Sequence, residues 1–75
     1  MIELQSASSL GEIIRSTRRR QHITQTQLAG VCNTTQKYIS DLEGGKETVQ
    51  FDLAFRVMRA LGLRILIEQP TGDEL

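Results

Sequence analysis

The chain has 75 residues and a formal net charge of zero, with nine Lys and Arg against nine Asp and Glu. One domain is expected, and a chain this short buries only about 60% of its unfolded surface, so association with a second copy is a common remedy. The single cysteine, Cys32, excludes an intrachain disulfide and a multi-cysteine metal site; no apolar run approaches the ~20 residues of a membrane span and no basic-then-apolar signal opens the chain, so a reducing cytoplasm is expected.

Residues 1–8 show little periodicity and read as an arm. Ser8 or Ser9 can cap a first helix, with Glu12 three residues after Ser9 completing a capping box. Leu10, Ile13, Ile14, Thr17 and Gln21 recur on one side at helical spacing, while Glu12, Arg15 and Arg19 face away. His22 is expected to close this helix in the left-handed region, which His tolerates better than most non-glycine residues.

Thr24 caps a second helix running from Gln25 to Val31 or Cys32, with Leu28, Val31 and Cys32 inward. Free Cys behaves as a small apolar side chain, so Cys32 is read as core. Asn33 is the left-handed residue of the turn. Thr35 caps a third helix, Gln36 to Glu43, and Gly44-Gly45 stops it. On a helical wheel Tyr38, Ile39 and Leu42 cluster inward, and Gln36, Lys37, Ser40 and Asp41 outward. Two short helices joined by a tight turn, the second presenting uncharged or basic hydrogen-bonding groups, suit insertion into the DNA major groove.

Zero net charge argues at first against nucleic acid, but its distribution argues for it. Arg15, Arg18, Arg19, Arg20 and Lys37 lie between residues 11 and 40, against Glu12 as the one acid there. A locally basic face on a neutral chain still binds phosphates, with modest non-specific affinity.

After a loop at Lys46 to Val49, a fourth helix is predicted from Gln50 to Leu61. Phe51, Leu53, Ala54, Phe55, Val57, Met58 and Leu61 cover more than half of its circumference, broader than one core requires. The surplus predicts a subunit contact involving Phe55 and Met58. Leu63-Arg64-Ile65-Leu66-Ile67-Glu68, bounded by Gly62 and Pro70, reads as a strand. A lone strand leaves its backbone unpaired, and no other segment is a convincing partner. Two copies are therefore expected to pair across a two-fold axis through Leu63, Ile65, Leu66 and Ile67. Residues 9–62 form the folded domain, 63–69 the dimerisation strand and 70–75 a flexible tail.

Leu10-Gly11-Glu12-Ile13-Ile14-Arg15, Ile23-Thr24-Gln25-Thr26-Gln27-Leu28-Ala29 and Tyr38-Ile39-Ser40-Asp41-Leu42-Glu43-Gly44-Gly45-Lys46 resemble the lambda-repressor-like, or Xre-type, helix-turn-helix family. Thr48-Val49-Gln50-Phe51-Asp52, Arg56-Val57-Met58-Arg59-Ala60-Leu61-Gly62-Leu63 and the following strand resemble, more narrowly, the HipB-type antitoxins. The implied fold is mainly α, a four-helix lambda-repressor-like domain with a C-terminal β-strand pairing across a dimer. The resemblance implies base contacts from Gln36, Lys37 and Ser40. It implies phosphate contacts from Thr24, Gln25, Thr35 and Lys46. It pairs Arg18 with Glu43 as a structural tie, with a phosphate role also open to Arg18. The implied function is a DNA-binding repressor that autoregulates its own operon, with an operator duplex, a second copy and a HipA-like Ser/Thr kinase toxin as partners.

The chain departs from the family in carrying His22 and Asn33 where glycine is usual, and in placing the acidic Asp41 on the presumed DNA side. Two other readings stay open: a protein-interaction module that has kept the fold, and a restriction–modification controller protein, which would be helical through residues 63–68. No nucleophile, base and orienting group stand together, so neither catalysis nor a cofactor is expected. His22 has no neighbouring ligand types, so no metal is expected either.

Overall fold

The computed structural model describes residues 2–72. Residue 1 of the expected arm and residues 73–75 of the expected tail lie outside it. Four helices follow in chain order: α1 (Ala7–Arg20), α2 (Gln25–Val31), α3 (Gln36–Glu43) and α4 (Phe51–Ala60). α3 packs across both α1 and α2, and α4 against α2.

The starts of α2 and α3 are set by threonine, as the sequence predicts. Thr24 Oγ1 accepts from the Gln27 amide at 3.0 Å, and Gln27 Oε1 accepts from the Thr24 amide at 2.8 Å, a complete capping box. Thr35 Oγ1 accepts from the Tyr38 amide at 3.1 Å. α1 begins earlier than predicted. Its cap is Ser6, not Ser8 or Ser9, because the Ser6 hydroxyl takes the Ser9 amide at 3.1 Å and extends the helix back to Ala7.

All four helices end by one device. A residue at positive φ follows each (His22 at 60°, Asn33 at 56°, Gly45 and Gly62 at 82°). The next amide then bonds a carbonyl five residues back: Ile23 to Arg18, Thr34 to Ala29, Lys46 to Asp41 and Leu63 to Met58. His22 and Asn33 thus take the left-handed conformation expected of them.

The core comprises Ile14, Leu28, Ala29, Cys32, Ile39, Leu42, Ala54, Val57, Met58 and Leu61. Two side chains fall otherwise than expected. Val31 is 74% exposed and Ala29 takes the inward place on α2, since Leu28, Ala29 and Cys32 share the buried face. Met58 is 3% exposed, within the monomer's own core.

Gly11 fixes the approach of α1 to α3. A Cβ there would lie 2.5 Å from the Glu43 carbonyl oxygen and 2.6 Å from that of Leu42. Gly to Ala in a helix ordinarily gains about 1 kcal/mol. Here both obstacles are backbone and cannot rotate away, so overpacking of about 1–3 kcal/mol outweighs that gain. Gly11→Ala is expected to lower the urea midpoint of unfolding at unchanged slope; an unshifted or raised midpoint would show that the helices separate freely.

Residues 63–70 carry no regular secondary structure, and there is no strand among the described residues. The expected C-terminal strand is thus not formed in the single chain. This has a physical cause: a strand needs a backbone partner, and one copy supplies none. Ile65, Leu66 and Ile67 are exposed.

Candidate nucleic-acid interface

The third helix carries the groups that can read a duplex. Gln36, Lys37 and Ser40 are all exposed on it, while Ile39 and Leu42 hold its other side in the core. Thr24, Thr35 and Lys46 are exposed around them. The geometry therefore places Gln36, Lys37 and Ser40 on the outer side of one element, with three expected phosphate contacts at its margins.

Beneath this face lies a buried ion pair. Arg18 Nε donates to Glu43 Oε2 at 2.6 Å and Nη2 to Oε1 at 2.9 Å, a bidentate clamp from α1 to the end of α3. Nη1 donates to the Ile23 carbonyl at 2.9 Å, holding the α1–α2 turn. Arg18 is 7% exposed and Glu43 2%. Burial alone would push the Glu43 carboxyl up; hydrogen bonds from Arg18 and Gln25, with the charges of Arg18 and Arg15, hold it below its ordinary value. The Glu43 hydrogen bond in turn raises the pKa of Arg18. So engaged, Arg18 is the structural tie, and little of it is left for the phosphate role.

The clamp continues to the surface through a contact the sequence did not foretell. Gln25 Nε2 donates to Glu43 Oε1 at 3.0 Å, and Gln25 Oε1 accepts from Gln36 Nε2 at 2.7 Å. The first residue of α2 thereby holds the first residue of α3. The Gln25 side chain, expected on a phosphate, is instead occupied within the protein, half-buried between Glu43 and Gln36. Gln36 keeps its Oε1 and its second Nε2 hydrogen. That is one acceptor and one donor in a single plane, the pair that adenine N6 and N7 require.

Asp41 is half-buried on the same helix. Its Oδ2 lies 3.3 Å from Lys37 Nζ and 3.6 Å from Lys46 Nζ. The hydrogen bond from Lys37 and the two ammonium charges draw its carboxyl below the ordinary value.

The remaining polar links are structural. Tyr38 Oη donates to the Gln50 carbonyl at 2.6 Å, Arg56 Nη1 to that of Cys32 at 3.1 Å, and Gln21 Nε2 to that of Leu61 at 2.8 Å. Burial pushes the Cys32 thiol up, against the nearby Arg56 charge, which suits a core residue rather than a reactive one.

A second surface lies across the molecule's other elements. Phe55 stacks on Phe51 with ring centroids 5.5 Å apart, and both are exposed. Leu63 packs against the core at half burial. Ile2, Leu4, Leu10 and Ile13 line an open groove with Met58 and residues 63–68. Of the residues expected at a dimer contact, Phe55, Ile65, Leu66 and Ile67 are available to a second copy, whereas Met58 is largely spent on the monomer.

The family model described as Helix-turn-helix matches residues 14–66, more than half of the chain. An uncharacterized HTH-type transcriptional regulator, y4mF of Sinorhizobium fredii (strain NBRC 101917 / NGR234), is 34% identical over 67 residues, covering 89% of this chain and 88% of its own. Among solved structures, the clp gene regulator ClgR from C. glutamicum is 32% identical with a TM-score of 0.70, over 83% of this chain and 80% of that one. HipB in its O4 20mer complex superposes with a TM-score of 0.83 at 20% identity, over 92% of this chain and 97% of that one. The HipA-HipB-O2-O3 complex gives 0.84 at the same identity and coverage. At that identity the HipB likeness speaks for the fold, while the family rests on the matched helices and the y4mF relative. The chain belongs to the helix-turn-helix family of transcriptional regulators.

Proposed function

We propose that this regulator is a homodimeric, sequence-specific repressor, and more narrowly a HipB-like antitoxin that autoregulates its operon and neutralises a HipA-like kinase. The observation that carries the DNA-binding part is the exposed Gln36-Lys37-Ser40 face, backed by the Arg18–Glu43–Gln25–Gln36 chain of bonds. Gln36 is the adenine reader, Lys37 donates to guanine O6 or N7, and Ser40 meets a base one turn further along. Thr24, Thr35 and Lys46 hold phosphates and set the register.

The dimer is supported by the exposed apolar residues at Phe51, Phe55, Ile65, Leu66 and Ile67. Residues 63–68 of two copies pair as strands, each supplying the backbone partner the other lacks. Their non-helical course in the single chain also weighs against a controller protein with helices to the end. The fold shared with HipB, including HipB bound to HipA, supports the antitoxin reading.

The test begins with a randomised duplex pool. Selection is expected to enrich a palindrome whose half-sites lie about one helical turn, ~34 Å, apart or a multiple of it. Affinity should fall steeply with salt. Replacing half-site purines with 7-deaza analogues, which lack the major-groove N7, should weaken binding at both half-sites; 3-deaza analogues, altered in the minor groove, should not. An unenriched pool, or sensitivity to 3-deaza purines alone, would overturn the reading. For the antitoxin part, a HipA-like kinase encoded beside the chain should co-purify with it; an unrelated neighbour with no kinase bound would defeat that part alone.

A further inference from the structure

Asp41 is out of place on a face that meets phosphates, because its carboxylate repels them. Its side chain makes no contact that holds the fold together: the carboxylate meets only Lys37 and Lys46, and solvent-screened pairs of this kind contribute little to stability. Both lysines converge on the same oxygen, one from the preceding turn of α3 and one from the loop beyond it. Lys37 remains largely exposed at its side chain even so.

Two consequences follow from this geometry. The three charges sum to one, so any duplex that offers only phosphates meets one net cation where two would otherwise stand. Non-specific affinity scales with the phosphates neutralised, so it is held down. An ammonium also has three donors. With one committed to Oδ2, Lys37 keeps two for a base edge, and its flexible stem is already restrained in direction.

We infer that Asp41 is a specificity determinant of the recognition helix: it restrains Lys37 toward a matching base edge and offsets the pull of Lys37 and Lys46 on phosphate alone. The inference rests on the DNA-binding reading proposed above. It also assigns a purpose to an acid that the resemblance to the family leaves unexplained.

The test compares the wild-type chain with Asp41→Asn on two probes, the duplex enriched by the wild-type chain and a scrambled duplex of equal length. Asn keeps the shape and removes the charge. Asp41→Asn is expected to bind the scrambled duplex roughly fivefold more tightly at low salt, with a log–log salt slope steeper by about one. The enriched duplex should gain less or lose affinity, so that the ratio of the two falls at least threefold. In the triple variant Asp41→Asn/Lys37→Gln/Lys46→Gln the gain on the scrambled duplex should vanish. A salt slope is indifferent to a purely structural role, and circular dichroism of each variant checks the fold. An unchanged ratio and slope in Asp41→Asn would overturn the inference, as would a gain that persists without the lysines. Those failures leave the DNA-binding reading intact, whereas a wild-type chain that enriches no duplex removes both.

Discussion

Replacing Glu43 with alanine is expected to lower the free energy of unfolding by about 3–5 kcal/mol, the cost of breaking a buried ion pair from one side. The substitution leaves the Arg18 guanidinium, 7% exposed, without a counter-charge, and frees Gln25 from the contact that holds it. Domains typically have only about 5–15 kcal/mol in total, so a large unfolded fraction is expected near physiological temperature. Arg18→Met/Glu43→Leu, which removes both charges, should cost less than Glu43→Ala, because no buried charge is left alone. The pair also makes stability depend on pH. The folded Glu43 carboxyl titrates below its unfolded value, so its contribution is complete above the ordinary Glu pKa of about 4.3 and is lost as pH falls through the lower, folded value. Glu43→Ala should lack that component of acid destabilisation. Urea unfolding from pH 7 down to pH 3, followed by circular dichroism, measures both effects; a Glu43→Ala midpoint equal to wild type at pH 7 would contradict this role for the clamp.

Much of the fold is legible in the sequence because short helices are specified by their ends. Thr24 and Thr35 cap where their type predicts, and His22 and Asn33 adopt the left-handed conformation expected of them. The start of α1 is less legible because three serines compete there, and it is Ser6 whose hydroxyl receives the Ser9 amide. Val31 reads as inward because a seven-residue helix offers too few turns for its wheel to be fixed. Nothing local marks Gly11 as a point of close approach, because the backbone it meets, at Leu42 and Glu43, lies far along the chain. The Gln25–Gln36 bond joins residues eleven apart whose meeting depends on how α2 crosses α3. Glu43 comes from the resemblance, since a carboxylate at a helix end carries no mark of burial by itself. The expected terminal strand shows the limit from the other side: residues 63–68 carry an apolar, β-branched pattern, yet a strand needs a backbone partner and the single chain offers none.

One face of one helix is central to the proposed reading of base edges, and Gln36 and Lys37 carry it. Both are exposed, and the contacts they lose, Gln36 with Gln25 and Lys37 with Asp41, lie at the surface, so removing them should leave the chain folded at a small cost in stability. A good bidentate pair is worth about 1–3 kcal/mol of base discrimination, so deleting both readers from each half-site would abolish preference. The most direct measurement is therefore titration of the enriched and scrambled duplexes with Gln36→Ala/Lys37→Ala at fixed salt, alongside thermal unfolding of the same protein. The expected result is affinity for the enriched duplex reduced by two or more orders of magnitude, to about the level of the scrambled one, with cooperative unfolding retained and the melting temperature lowered by only a few degrees. Wild-type preference retained by a fully folded double variant would contradict it.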